Sequence, residues 1–451
     1  MFSPTTASSI PIAGWRWSIV WMMFLATMIN YMDRNTLSTT QQFILSEFVP
    51  SSSVDASAPD AKAQLESMRT RVYGNVLVAF GISFAFFQIV AGYLVDRFSL
   101  RKVYLMAIII WSAAGVLTGF IPAGAIEMLI LCRIMLGIGE AFNWPCAVGC
   151  VRRVIPRESR GLANGIFHSG GSIGAVATPL LVLLLVNTTT GEGWRTLFIV
   201  VGAVGFLWAV GWMFITRGER AIVIDSTPQP DPGFETQGPT PSFFSVLWLP
   251  KFWICLTTGV CVNLCWHFYG QWFPRYLSQE IEASGRGQQW IIAGFFIAAD
   301  LGSMTCGWLT RRFARAGKSV ERSRQWVMTL VAISALSATA TAVSLPMEML
   351  WAKYLAFFFV GASAIGGFTI FFSLAQDIVP RHTAQILGVC GFASWMVISG
   401  AADVAGSYAK KGVYGELFLA VSAFPMLAAL VGWCWPSPVQ RESPATPKAV
   451  V

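Results

Sequence analysis

Charge is what this sequence has least of: 12% of its 451 residues are Asp, Glu, Lys or Arg, while 55% are hydrophobic. Soluble domains carry roughly twice that share of charge, so an ordinary water-facing surface is excluded. Histidine is scarce, with three residues in all. The nine cysteines, from Cys132 to Cys434, all fall in apolar segments and none forms a CxxC pair. A disulfide framework and a zinc site are therefore not indicated, and small, reduced, buried side chains are expected. Nor is there a nucleophile beside a base, a metal-binding cluster or a sizeable soluble segment, which disfavours a membrane enzyme and calls for no cofactor or metal. The net charge of +8 is dispersed over short loops instead of gathered on one face. That pattern speaks against a nucleic-acid partner.

Apolar runs are abundant. Twelve stretches of about 20 residues are each long enough to cross a ~30 Å hydrocarbon core as a helix. They cover 14–31, 73–95, 103–121, 125–151, 161–186, 194–215, 252–277, 288–309, 326–345, 349–374, 384–408 and 413–435. The first follows a polar leader without a small-residue cleavage site and reads as a retained helix. Between the sixth and seventh runs, the interval 217–250 holds Pro228, Pro230, Pro232, Pro239 and Pro241 and reads as a linker. The chain thus divides into a six-helix bundle at 1–216, a cytoplasmic linker at 217–250, a second bundle at 251–436 and a disordered cytoplasmic tail at 437–451. The interval 46–71, with SSSVDASAPDAKAQ, reads as a mobile outward-facing loop.

Basic residues favour the cytoplasmic side of a membrane. Arg97, Arg101 and Lys102 share one loop, Arg152, Arg153, Arg157 and Arg160 another, and Arg311, Arg312, Arg315, Lys318, Arg322 and Arg324 a third. These alternate loops lie on one side, whereas the other carries scattered cations such as Lys62, Arg195, Arg286 and Lys410. Both termini are accordingly expected in the cytoplasm.

The two halves share sequence. GYLVDRF at 92–98 pairs with GWLTRRF at 307–313, and IPRESRGLANG at 155–165 pairs with VPRHTAQILGVCG at 379–391. Parallel six-helix repeats with a binding site between them at mid-membrane characterise one large class of secondary transporters. GYLVDRFSLRK resembles the loop between helices two and three of the major facilitator superfamily, with Gly92, Asp96, Arg97, Arg101 and Lys102 at its spacing and Ser99 in place of the usual second glycine. INYMDRNTLS, CRIMLGIGEAFNWP, GIFHSGGSIGA and FIAADLGS resemble the anion:cation symporter family, and within it the hexuronate transporters. VRRVIPRESRG departs from that group, whose loop more often carries Trp-Phe-Pro and then Glu-Arg. The resemblance implies an all-α membrane protein with twelve transmembrane helices in two six-helix bundles. It implies a monomeric secondary transporter of the inner membrane that moves a small organic anion with protons.

Charged residues inside apolar runs are the candidate site. Arg133, Gly137 and Glu140 fall on one helical face. Arg133 and Glu140 are separated by about 10.5 Å of axial rise, so each must meet a group on another helix. Asp33 and Arg34, at the end of the first run, are the natural partners, although an arginine near a helix end also snorkels to the interface. Charges at membrane depth cost several kcal/mol and face polar cavities when functional. The resemblance assigns Arg34 to a substrate carboxylate, Asp33 and Glu140 to proton coupling, and Arg133 to modulating those acids. With both acids ionised, the four charges cancel and each guanidinium is engaged; protonation then frees an arginine for two parallel hydrogen bonds to a carboxylate. Sodium suits a carboxylate in a related scheme.

A sugar acid also needs groups for its hydroxyls. Asn263, His267 and Gln271 share one face of the seventh run, with Trp266, Tyr269 and Trp272 beside them, a pattern that serves either substrate or interhelical bonding. Asn143 lies one turn after Glu140, and Tyr73 opens the second run; by resemblance Tyr73 matches a substrate-side tyrosine. Asp300 serves substrate or a neighbouring helix, Asp403 lies nearer an aqueous end, His168 reads as helix packing, and Asp377 is expected to order the loop before Pro380. The basic loop after Asp96 reads as a topology anchor or a cytoplasmic latch. Aldonates, glucarate-like diacids and aromatic acids stand as alternative substrates, with a channel and a transporter-like sensor as alternative classes.

Overall fold

Polar residues lengthen several helices beyond what hydropathy marks. The first helix, α1 (Ile12–Phe48), and the second, α2 (Ala61–Arg97), each run for 37 residues, about 55 Å at the usual rise. Asp33 and Arg34 consequently sit in the middle of α1 instead of at its end, and Tyr73 lies three turns into α2. Most of the expected outward loop is helical; residues 49–60 remain between the two helices. The chain continues as α3 (Leu100–Thr118), α4 (Ile126–Glu140), α5 (Asn143–Val154), α6 (Arg160–Leu185), α7 (Trp194–Ile215), α8 (Glu219–Asp225) and α9 (Phe243–Val246). It then forms α10 (Pro250–Gln279), α11 (Gly285–Arg315), α12 (Val320–Ser344), α13 (Leu350–Ile378), α14 (Thr383–Ala409), α15 (Tyr414–Ser422) and α16 (Phe424–Trp433). This computed structural model describes residues 12–55, 60–187, 190–226, 242–281, 285–409 and 414–435. The prolines at 228–241, the tail from 436 and the side chain of Asp403 lie outside the described residues.

Two expected single helices are each split. Pro145 has no N–H for the carbonyl of Ala141 and its ring crowds that residue, so the fourth run breaks into α4 and α5 around Ala141 and Phe142. The last run breaks at Ala423, just before Pro425. Counting each split pair as one span and leaving α8 and α9 aside gives twelve spans in two bundles of six. Leu183, Leu184, Leu207 and Trp290 are exposed on the outside. An apolar belt of this kind fits lipid, not water.

Within the first half α1 packs on α6, α2 on α4 and α3 on α7; within the second, α11 and α12 pack on α13, and α10 on α16. The halves meet along α2 against α14 and α6 against α11. Glycines set how closely. A Cβ on Gly92 would sit 2.5 Å from the Ala384 carbonyl oxygen, and one on Gly165 would sit 2.9 Å from that of Ser303. Inside the interval expected to be a linker, α8 docks on its own half: Asp225 accepts from the Ser99 hydroxyl at 2.8 Å and from the Arg101 N–H at 3.0 Å.

Candidate functional site

Arg34 of α1 and Glu140 at the end of α4 meet, with Nε 2.5 Å from Oε2. Glu140 is fully buried and Arg34 retains 18% side-chain exposure, because its guanidinium forms part of a cavity wall. That guanidinium lies 4.3 Å from the Phe84 ring centroid and 5.1 Å from that of Phe80, a cation–π arrangement that holds it without consuming its N–H groups. Its Nη2 and the second Glu140 oxygen have no hydrogen-bond partner. One branch of the guanidinium fork is thus left for another acceptor.

Asp33 and Arg133 lie deeper, both 2% exposed. Asp33 is within electrostatic reach of Glu140 and Arg133, and its Oδ2 is unpartnered. Arg133 donates to the Thr118 hydroxyl at 3.3 Å and covers the Phe198 ring, with its Nε unpartnered. Four charges that sum to zero are therefore gathered in one buried neighbourhood, yet several of their polar atoms go unused. Under-satisfied buried groups of this kind are costly.

The cavity beside Arg34 lies where the halves meet and encloses about 40 Å³, room for roughly one water molecule. Tyr31 and Trp144 of the first half face Phe368 and Phe372 of the second across it, with the Trp144 and Phe372 rings stacked at 5.6 Å. Asn263 and His267 of α10 both reach it. Asn263 donates back to the Gly259 carbonyl at 2.8 Å, which leaves its oxygen for other donors, and His267 rests against Trp395 at 5.1 Å.

Other expected site residues lie elsewhere. Tyr73 belongs to a separate apolar cluster with Met32, Val76 and Leu129, near Arg133 but not on the cavity. Asn143 is held between the Tyr104 hydroxyl at 2.7 Å and the Thr27 hydroxyl at 3.2 Å, a helix-joining role. Gln271 is exposed, and Trp272 packs on Phe268 with Arg275 over its ring. His168, expected to pack helices, rests on Phe368 of α13 at 4.9 Å and also lines the cavity, stacked on Trp144 at 5.1 Å with Nδ1 unpartnered. Trp144, Gln88 and Trp395 also line the cavity without having been singled out. Trp144 stood in the same FNWP segment as Asn143, one residue on, where the proline break turns it inward.

At the basic end the halves are locked. Asp96 accepts from the backbone N–H groups of Ala384 and Gln385, at 3.3 and 2.8 Å, the unsatisfied donors of a helix N-terminus. Of the loop's other residues, Gly92 permits the close approach, Arg101 turns to Asp225 and the Thr216 carbonyl, and Arg97 and Lys102 are exposed. Asp377 does more than order its loop: its side chain is buried and pairs with Arg157 and Arg160 of the first half and Arg324 of its own half. Arg157 also reaches Glu321 at 2.6 Å.

Twelve spans in two bundles, with a charged cavity where they meet, have the architecture of a membrane transporter. The family model of the Major Facilitator Superfamily matches residues 23–402, and the chain belongs to that superfamily. It is 25% identical over 446 residues to the hexuronate transporter of Escherichia coli (strain K12), covering 94% of each chain. It is 26% identical over 436 residues to a probable sulfoacetate transporter of Cupriavidus necator, covering 91% of this chain and 93% of that one. Among solved structures, the proton:xylose symporter XylE bound to 6-bromo-6-deoxy-D-glucose superposes with a TM-score of 0.72 at 15% identity, over 94% of this chain and 96% of that one. The first two likenesses relate the chain to transporters of organic acids, and the third concerns the fold alone.

Proposed function

We propose that this protein is a proton-coupled symporter of an organic monoanion, a hexuronate or related sugar acid, working by alternating access in the inner membrane with both termini in the cytoplasm. The Arg34–Glu140 pair on the cavity wall is the observation that carries the reading. While Glu140 is ionised it occupies Arg34 and competes with an incoming anion. A proton on Glu140 removes that competitor, and Arg34 then presents a planar fork to the substrate carboxylate. Asp33 and Arg133, close behind, couple to the same event electrostatically: a charge lost from Glu140 changes what Arg133 and Asp33 experience. Release follows when the protons leave on the cytoplasmic side and Glu140 reclaims Arg34.

The cavity of about 40 Å³ is far smaller than the several hundred Å³ that a bound organic molecule fills. The enclosed conformation is thus one from which the halves must separate for substrate to enter. Asp96 and the Asp377 cluster close the end with the basic loops, which the positive-inside bias assigns to the cytoplasm. Gln88, Asn263, His168 and His267 supply donors and acceptors for hydroxyls, and the stacked rings of Trp144 and Phe372 suit an apolar sugar face. The names of the hexuronate and sulfoacetate transporters support an acidic substrate. The aromatic lining also favours a second reading, an aromatic carboxylate bound by the same Arg34.

The test is uptake into proteoliposomes of galacturonate, glucuronate, galactonate, benzoate and a neutral hexose, with and without an inward proton gradient. Gradient-driven accumulation of the sugar acids over the neutral hexose is expected. Preference for the hexose would overturn the assignment of Arg34, and accumulation that follows a sodium gradient instead would overturn the coupling ion.

A further inference from the structure

Arg34 and the three charges around it do not exhaust the buried ionisable groups. Asp300, midway along α11, is 8% exposed and its Oδ1 has no hydrogen-bond partner. It belongs to the second half, yet it faces the first. α6 and α11 run antiparallel in close contact, with Gly161 against Gly307 and Gly165 against Ser303. Carrying that register onward sets Asp300 level with the turn from His168 to Ser172, and the Ser172 hydroxyl acts on its carboxyl from that turn. Tyr31 of α1 is within electrostatic reach of Asp300, and Tyr31 and His168 both line the cavity. Asp300 therefore lies immediately behind the cavity wall, on the surface along which the halves must move.

Among the described residues no cation is near enough to shift its charge. The charged residues of the helices packed on α11 lie near the helix ends: Arg160 on α6, Glu321, Arg322 and Arg324 on α12, and Lys353 and Asp377 on α13. On α11 itself the nearest charge in sequence is Arg311, about 16 Å further along the axis. Lys251 and Arg275 of α10 are likewise toward its ends, and among the described residues the titratable group within electrostatic reach of Asp300 is Tyr31, with His168 level with it along α6. Asp33, Glu140 and Asp300 supply three negative charges to the interior against two from Arg34 and Arg133. An ionised Asp300 thus leaves an excess of one negative charge, which a low-dielectric interior disfavours and which directly opposes an incoming anion.

We propose that Asp300 is a second coupling site, which binds a proton when the cavity is loaded and carries it across with the substrate. The inference rests on the symport reading above and adds a cation to it. Glu140 takes one proton to free Arg34, and Asp300 takes another to cancel the excess negative charge. The Asp300 carboxylate gains a proton from the side open to the cavity and loses it when the α6–α11 contact rearranges on the other side. A monoanion moving with two protons transfers net positive charge inward, so the membrane potential assists accumulation.

The experiment measures the reversal potential of galacturonate uptake in proteoliposomes of the full chain, at fixed galacturonate and proton gradients with the potential set by potassium and valinomycin. The wild-type protein is expected to move net positive charge, and Asp300→Asn one elementary charge fewer per anion, with Asp300→Glu restoring the original value. Proton-coupled galacturonate uptake with the same charge per anion in wild type and Asp300→Asn overturns the proposal while leaving the symport reading intact. If no proton-driven galacturonate uptake occurs in the wild-type protein, the symport reading fails and the role of Asp300 as a coupling site falls with it, an outcome distinct from equal charge per anion in wild type and Asp300→Asn. Should Asp300→Asn fail to fold, Ser172→Ala serves in its place: removing the hydroxyl beside the carboxyl is expected to change the proton concentration for half-maximal uptake by roughly tenfold, and no change counts against the proposal.

Discussion

At the scale of single residues, the arrangement turns on whether Arg34 is held by Glu140 or released. Lower external pH favours the protonated acid and hence the freed guanidinium, so anion binding strengthens as pH falls toward the range where Glu140 is protonated. Glu140→Gln makes that release permanent. It is expected to retain exchange of labelled anion across the membrane, to lose gradient-driven accumulation, and to show an affinity that no longer varies with external pH. Uptake and counterflow measured side by side check this, and intact accumulation in the variant would remove Glu140 from the coupling step. The sequence made this pair legible because ionised side chains inside apolar runs are expensive and stand out. It gave weaker warning of the cavity lining. Trp144, Phe372 and Trp395 are aromatic residues among 61 in the chain, and nothing in spacing alone separates a ring that faces the cavity from one that faces lipid. His168 was hidden by its glycine-rich surroundings, which pack α6 on α1 and α11 and give no sign that the same segment also reaches the cavity.

At the scale of helices, hydropathy located every span but misjudged where several end or break. A transfer scale registers residues that contact lipid, whereas the ends of α1 and α2 are helical while polar, and the Pro145 break lies inside an unbroken apolar run. Helix contacts across the halves depend on glycine. Gly92 sits against the Ala384 carbonyl and the Gln385 backbone, where flexible side chains cannot yield, so Gly92→Ala must separate α2 from α14. Overpacking of this kind costs about 1–3 kcal/mol, charged to the conformation closed at this end and not to the one open there. A shift of roughly 5- to 150-fold in population follows. Hydrogen exchange at the Ala384 and Gln385 amides, which now donate to Asp96, should accelerate accordingly in Gly92→Ala. Unaltered protection at these two amides would show that the contact is loose in solution.

At the scale of the whole molecule, two closures of different chemistry act on the same pair of bundles. The mid-membrane contact is aromatic and small-residue in character, with Trp144 on Phe372 and Gly165 on Ser303. The contact at the basic end is ionic, and Asp377 is its centre. Arg157 and Arg160 belong to one bundle while Asp377 and Arg324 belong to the other, so the closed state places one carboxylate among three guanidinium groups with Glu321 as the second acid. The sequence expectation for Asp377 was local because its partners are more than 200 residues away for Arg157 and Arg160, a separation no motif spans. Removing that carboxylate reverses the balance. In Asp377→Asn the three arginines lose the carboxylate they share, while Glu321 stays paired with Arg157, and loss of one partner from a buried pair costs on the order of 3 kcal/mol. The cost falls on the conformation in which this end is shut, since separation of the bundles returns Arg157 and Arg160 to water. Spin labels at the ends of α6 and α12 should therefore report a distance distribution moved to the open form, by more than tenfold in population. Proteoliposomes of the variant should equilibrate labelled anion yet accumulate it poorly. A distance distribution matching that of the wild type would mean that Asp96, capping α14, closes this end without help from Asp377.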